Sequence, residues 1–150
     1  MYAFGGLGNA LNGLNQPEEG TRLLRKSAVG YRVLQMEVFA LESMAGWIRG
    51  QLSMGNIAQT MPVLEELLEY LYTVGPFSGA DTPILILWTC YQALVANGDD
   101  RAPDVLDRTV ELLKTAVSHI PDETTRQSFL ENVSWHREIM LASLERMFYN

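Results

Sequence analysis

Two histidines, one cysteine and several carboxylate clusters are the residues of this 150-residue chain that could carry chemistry. His119 and His136 each stand more than a helical turn from any second histidine or from Cys90, so metal-ligand spacing is absent. With a single cysteine there is no internal disulfide and no thiolate cluster. Cys90 lies within the apolar run Pro83 to Ala96, which predicts a buried, unreactive thiol. His136-Arg137-Glu138 has catalytic residue types, but neighbours on a helix point in different directions and do not converge on one atom. Arg126 and Glu131 are expected to pair with this segment and lock the terminal helices together. Glu65, Glu66 and Glu69 read as a solvated outer helix face rather than a site for a basic partner. Gly5-Gly6-Leu7-Gly8 lacks the lysine and the preceding strand of a phosphate-binding loop, so close helix packing is the better account. No nucleophile or acid–base pair emerges, and the expectation is a protein that is not an enzyme and needs no cofactor.

Elements that position these residues follow from apolar spacing and punctuation. Hydrophobic residues make up 47% of the chain and charged residues 19%, the composition of a globular domain. The net charge of −7 argues against nucleic-acid binding, which needs a basic face. The longest apolar run is too short to span a bilayer, and the first ten residues carry no Lys or Arg, so a cytoplasmic location without membrane contact is expected. Breaks fall at Asn15-Gln16-Pro17, Gly55-Asn56, Gly75 to Pro83, Asn97 to Asp100 and Pro121-Asp122. Between them the spacing is helical throughout.

The helices expected run over residues 2–14, 18–31, 33–54, 57–73, 83–96 and 101–119. A short one follows to about Val133, capped by Asp122, and a last one is capped by Ser134 and runs towards Phe148. The third is read as continuing from the second after a bend near Gly30. Thr82 is the expected N-cap of the fifth, with Pro83 at its first position. Two adjacent apolar stripes on the third helix and a nearly all-apolar fifth predict helices covered on both sides. Helices four and six are amphipathic. That alternation predicts an all-α, antiparallel helical-hairpin array forming one domain.

A repeat of roughly 40 residues relates the breaks after the first, third and fifth helices. Phe4, Leu7-Gly8, Asn9-Ala10, Leu11, Glu19, Leu24 and Lys26 fall where the tetratricopeptide pattern has its characteristic residues, and the chain resembles that family. Gly8 would let the first two helices approach, with Phe4 and Leu24 filling their interface. Further on, Trp88 to Tyr91, Asn97 to Ala102, Val105-Leu106, His119 to Asp122 and Arg126 to Val133, running into His136 to Ile139, resemble the end of the tetratricopeptide arms of large bacterial signal-transduction ATPases and transcriptional activators.

The resemblance implies about three hairpins closed by a terminal helix pair, and is compatible with a terminal piece of a larger polypeptide. It implies a non-catalytic protein-interaction or sensor role, in which inner helices line a concave groove. The family's groove positions map to Tyr2, Asn9 and Asn12, to Arg49, and to Gln92. Gly5 stands where peptide-carboxylate-binding members carry lysine, which favours a basic or neutral protein or peptide partner, other domains of the same polypeptide included. An alternative reading of the residues themselves places a small apolar ligand against Met44, Trp88 and Tyr91. Met140, Leu141, Leu144, Met147, Phe148 and Tyr149 give the last helix an apolar surface, for which a homodimer or an interdomain contact is expected.

Overall fold

The computed structural model describes residues 2–149, and every regular element among them is helical. The helices are α1 (Tyr2–Gly13), α2 (Pro17–Val33), α3 (Glu37–Ser53), α4 (Met61–Thr73), α5 (Pro83–Ala96), α6 (Ala102–Ser118), α7 (Glu123–Asn132) and α8 (Ser134–Tyr149). A 3₁₀ turn, Ala58–Thr60, leads into α4 and places Pro62 in that helix's first turn, where its missing N–H costs nothing. Among the described residues no helix is long and apolar enough to cross a membrane.

Four helix ends share one closure. Asn15, Gln35, Gly55 and Gly98 adopt left-handed φ values of 61°, 58°, 78° and 66°. The next residue's N–H then returns to a carbonyl of the last turn: Gln16 to Leu11 at 2.8 Å, Met36 to Tyr31 at 2.9 Å, Asn56 to Gln51 at 3.0 Å and Asp99 to Leu94 at 2.9 Å. The closure at Gln35 corrects the expected run from α2 into α3. Gly30 lies inside α2, and the chain breaks over residues 34–36. Val33 and Leu34, which the expected range 33–54 puts at the start of the third helix, lie instead at the end of α2 and in the break, and both are exposed.

Helix α1 packs on α2, α2 on α3, α3 on α5 and α5 on α6, with α8 covering α6 and α7. A Cβ added at Gly8 would lie 2.8 Å from the Gly20 carbonyl oxygen, and one at Gly20 would lie 2.7 Å from that of Gly8. The backbones of α1 and α2 thus touch where glycines face each other. Leu24 is fully buried beside this contact, but Phe4 is not in it. Phe4 is exposed, with the Lys26 ammonium over its ring at 5.9 Å.

The larger core cluster joins Leu24, Leu41, Ile48, Leu64, Phe77 and Leu87. A smaller one joins Trp88, Leu106, Leu113 and Ile139, and Tyr91 packs against both. Both α3 and α5 are buried over most of their length, while α4 buries its leucines and keeps Glu65 and Glu69 exposed. Two of the three clustered carboxylates are engaged: Arg101 binds Glu65 and Arg32 binds Glu66.

Thr82 is the N-cap residue of α5 with Pro83 after it, as expected, but its side chain makes no capping hydrogen bond. The segment that enters α5 is held instead by Glu42 of α3, 40 residues away, which accepts from Thr82 N at 2.6 Å, Thr82 Oγ1 at 2.7 Å and Asp81 N at 3.1 Å. Ser134 is the first residue of α8 rather than a residue before it. Asp122 does cap α7, accepting from Thr125 N at 2.8 Å.

The terminal helices are not locked by Arg126 and Glu131, which bind Glu123 and Gln127 within α7. The buried His136 does this instead. Its Nδ1 lies 2.7 Å from the Phe129 carbonyl oxygen and its ring 4.4 Å from that of Phe129. A carbonyl only accepts, so Nδ1 carries a proton there.

Candidate functional site: a groove floored by Arg49

Helices α1, α3 and α5 share a groove of about 630 Å³. Tyr2, Asn9 and Asn12 of α1, Arg49 of α3 and Leu85 of α5 line it, with Tyr31 and Phe39 on one side and Trp135 of α8 beyond. Gly6 and Gly13 also line it, and a Cβ at either meets nothing within 4 Å. The absent side chains leave room in the groove.

Asn9 and Asn12 lie three residues apart and so share a helix face. Opposite them α3 presents Gly46 and Gly50. A Cβ at Gly46 would lie 2.6 Å from Asn9 Oδ1, and one at Gly50 2.9 Å from Asn12 Oδ1. The small residues admit both amides. Asn12 Nδ2 donates to the Gly46 carbonyl at 3.0 Å, while its Oδ1 is buried without a hydrogen-bond partner, wedged between Gly20 and Gly50.

Arg49 occupies the floor. Its Nη2 donates to Asn9 Oδ1 and its Nη1 to Thr89 Oγ1, each at 2.9 Å. Thr89 is fully buried and passes its own proton to the Leu85 carbonyl at 2.8 Å. No carboxylate among the described residues pairs with the guanidinium, although Glu42 lines the same groove. Desolvation pulls the Arg49 pKa down to about 10, partly offset by the negative charge of Glu42. The group therefore stays protonated at neutral pH.

Of the residues mapped from the sequence, Tyr2, Asn9, Asn12 and Arg49 come together in this groove, and Gln92 does not. Gln92 lies with Trp88, Tyr91, Glu138 and Leu141 along a shallow depression of about 430 Å³ between α5 and α8. Gln92 stands three residues beyond Thr89, which swings its side chain by roughly 60° and one turn along the helix, and this is enough to bring it to the α8 side. Met44, Trp88 and Tyr91 do not make one pocket. Met44 is buried in the larger core cluster and Trp88 in the smaller. Trp88 stacks on Tyr91 at 5.1 Å and donates its indole N–H to Glu138 at 3.2 Å.

No protein-family model matches the chain, and no curated protein or solved structure is detectably similar to it.

Sequence reasoning missed Tyr31, Phe39, Glu42, Leu85 and Trp135 of the groove lining, and Thr89, buried beneath Arg49. For Thr89 and Glu42 the signal was available in the 40-residue period, which joins 9, 49 and 89, and also 42 and 82. Trp135 has no such signal, because it reaches the groove from the far end of the chain. Elsewhere, burial raises the Cys90 thiol to about 12, so it is neutral. Among the described residues no group of three or more His, Cys, Asp or Glu is placed to hold a metal ion. On the last helix Leu141, Leu144, Met147, Phe148 and Tyr149 are exposed.

Proposed function

We propose that the chain is a tetratricopeptide-like array of about three hairpins with a terminal helix pair, serving as a non-catalytic interaction or sensor module of a bacterial regulatory protein. Its working surface is the groove between α1, α3 and α5. The observation that carries this reading is the guanidinium of Arg49, held by neutral acceptors and left without an acidic partner in a groove of ligand size. Supporting the repeat architecture are the left-handed closures at Asn15 and Gly55 and the 40-residue register of Asn9, Arg49 and Thr89. The groove brings together no nucleophile with a base, so its chemistry is recognition rather than bond breaking. In this reading the module works in the cytoplasm, and any output activity resides in a partner or in other domains of the same polypeptide.

Cross-linking of the protein in its source cells, compared with a Gly6→Leu variant that narrows the groove, tests the reading. Contacts or ligand occupancy that map to the groove and disappear in the variant are expected. A protein whose partners and ligands are indifferent to Gly6→Leu would not be a groove-based module.

A further inference from the structure

We propose that the groove takes a small organic acid, with its single carboxylate on Arg49 and its aromatic or branched aliphatic body against Tyr2, Tyr31, Phe39, Leu85 and Trp135. The proposal rests on the groove being the working surface and adds the chemical class of what occupies it.

Charge accounting comes first. Seven of the eleven Lys and Arg residues pair with carboxylates of the same chain. Arg49 is half-buried, and among the described residues its hydrogen-bond partners are one amide oxygen and one hydroxyl. Buried cations are ordinarily paired. A guanidinium has five N–H donors in a planar fork that fits the two oxygens of a carboxylate. Two of the five are engaged, so the fork has donors to offer. The nearby acid, Glu42, forms no ion pair with it: its oxygens are held by Thr82 and the N–H of Asp81, and its charge offsets the desolvation of Arg49 only in part.

The rest of the lining sets the class. A second negative charge on the ligand would meet Glu42 and Asp81, which share the groove, and a chain of net charge −7. One anionic group is therefore accommodated and two are opposed. The remaining walls are largely ring and aliphatic carbon, and a cavity of about 630 Å³ falls in the range that encloses small molecules.

Titration calorimetry with phenylacetate and 4-methylpentanoate tests this, with phenylacetamide and 4-methylpentanamide as uncharged counterparts. A heptapeptide ending in a free Phe carboxylate gives the peptide arm. At least one acid is expected to bind saturably at one site per chain, at least tenfold tighter than its amide. Arg49→Gln should remove that preference. Gly6→Leu should remove binding while leaving the thermal melt in place, because a Cβ there meets no neighbour. Absence of saturable binding by both acids, equal binding of acid and amide, or binding that survives Gly6→Leu overturns the proposal. A heptapeptide that binds tenfold tighter than either acid also overturns it, yet leaves the groove as the working surface.

Discussion

Asn9 and Arg49 stand 40 residues apart in sequence and 2.9 Å apart through Oδ1 and Nη2. Thr89 receives the other arm of the same guanidinium after a further 40 residues. Glu42, two helical turns before Arg49, reaches Thr82 across the same interval. The α3–α5 register is thus pinned at two points on one face of α3, and both points open into the groove.

That arrangement separates a recognition role for Arg49 from a purely structural one. Arg49→Met is expected to leave stability within about 1 kcal/mol of wild type or to raise it, because removing a half-buried, desolvated charge offsets the two lost hydrogen bonds. Neither acceptor is stranded: Asn9 is exposed, and Thr89 still donates to Leu85. Urea denaturation checks this. A loss above about 2 kcal/mol would make Arg49 a strut whose chief work is holding α1 to α5.

Glu42 is expected to behave in the opposite way. Glu42→Ala leaves the N–H groups of Asp81 and Thr82 without their acceptor at the start of α5, for a cost of about 1–2 kcal/mol. Denaturant unfolding measures the loss, and Glu42→Gln, which keeps one acceptor oxygen, should recover part of it. Equal stability of Glu42→Ala and wild type would show that the hydrogen bonds of Glu42 contribute nothing to the anchoring of α5.

Gln35 carries a conformational cost. Its φ of 58° lies in the left-handed region, which costs an ordinary residue about 1 kcal/mol. Gln35→Gly should therefore raise stability by up to about 1 kcal/mol, reduced by the added freedom of glycine in the unfolded chain. A shifted urea midpoint with unchanged slope is the expected readout, and a destabilised variant would mean that the Gln35 side chain makes a contribution of its own.

The same residue marks a limit of what sequence conveys. The helical spacing of the apolar residues and the Pro83 and Asn97-Gly98 boundaries of α5 were legible because each has a local physical cause. A left-handed glutamine has no compositional signature, and nearby Gly30 attracted the break instead. In the groove, Asn9 and Arg49 were reached through the tetratricopeptide resemblance, whereas Gln92 was placed three positions off the period that Thr89 obeys. The contact of Glu42 with Thr82 shows only in the 40-residue period, and Trp135 arriving from α8 depends on tertiary proximity, which no local pattern encodes.

The acid dependence of stability should run through the turn between α5 and α6. Arg101, through hydrogen bonds from its side chain and then its backbone N–H, holds the Asp99 carboxyl near 2, below its ordinary 3.8. A depressed carboxylate pKa stabilises the fold above the unfolded-state value and ceases to do so as pH falls through the folded-state value. The contribution is therefore complete above about pH 5 and disappears between pH 4 and about pH 2. Allowing for solvent screening of Arg101, it amounts to about 1 kcal/mol at neutral pH. Asp99→Asn keeps the oxygen that accepts from Arg101 N but loses the charge. Urea midpoints of the two proteins should differ at pH 7 and converge towards pH 2. Parallel curves across that range would assign the Asp99 contribution to hydrogen-bond geometry alone, with no part for its ionisation.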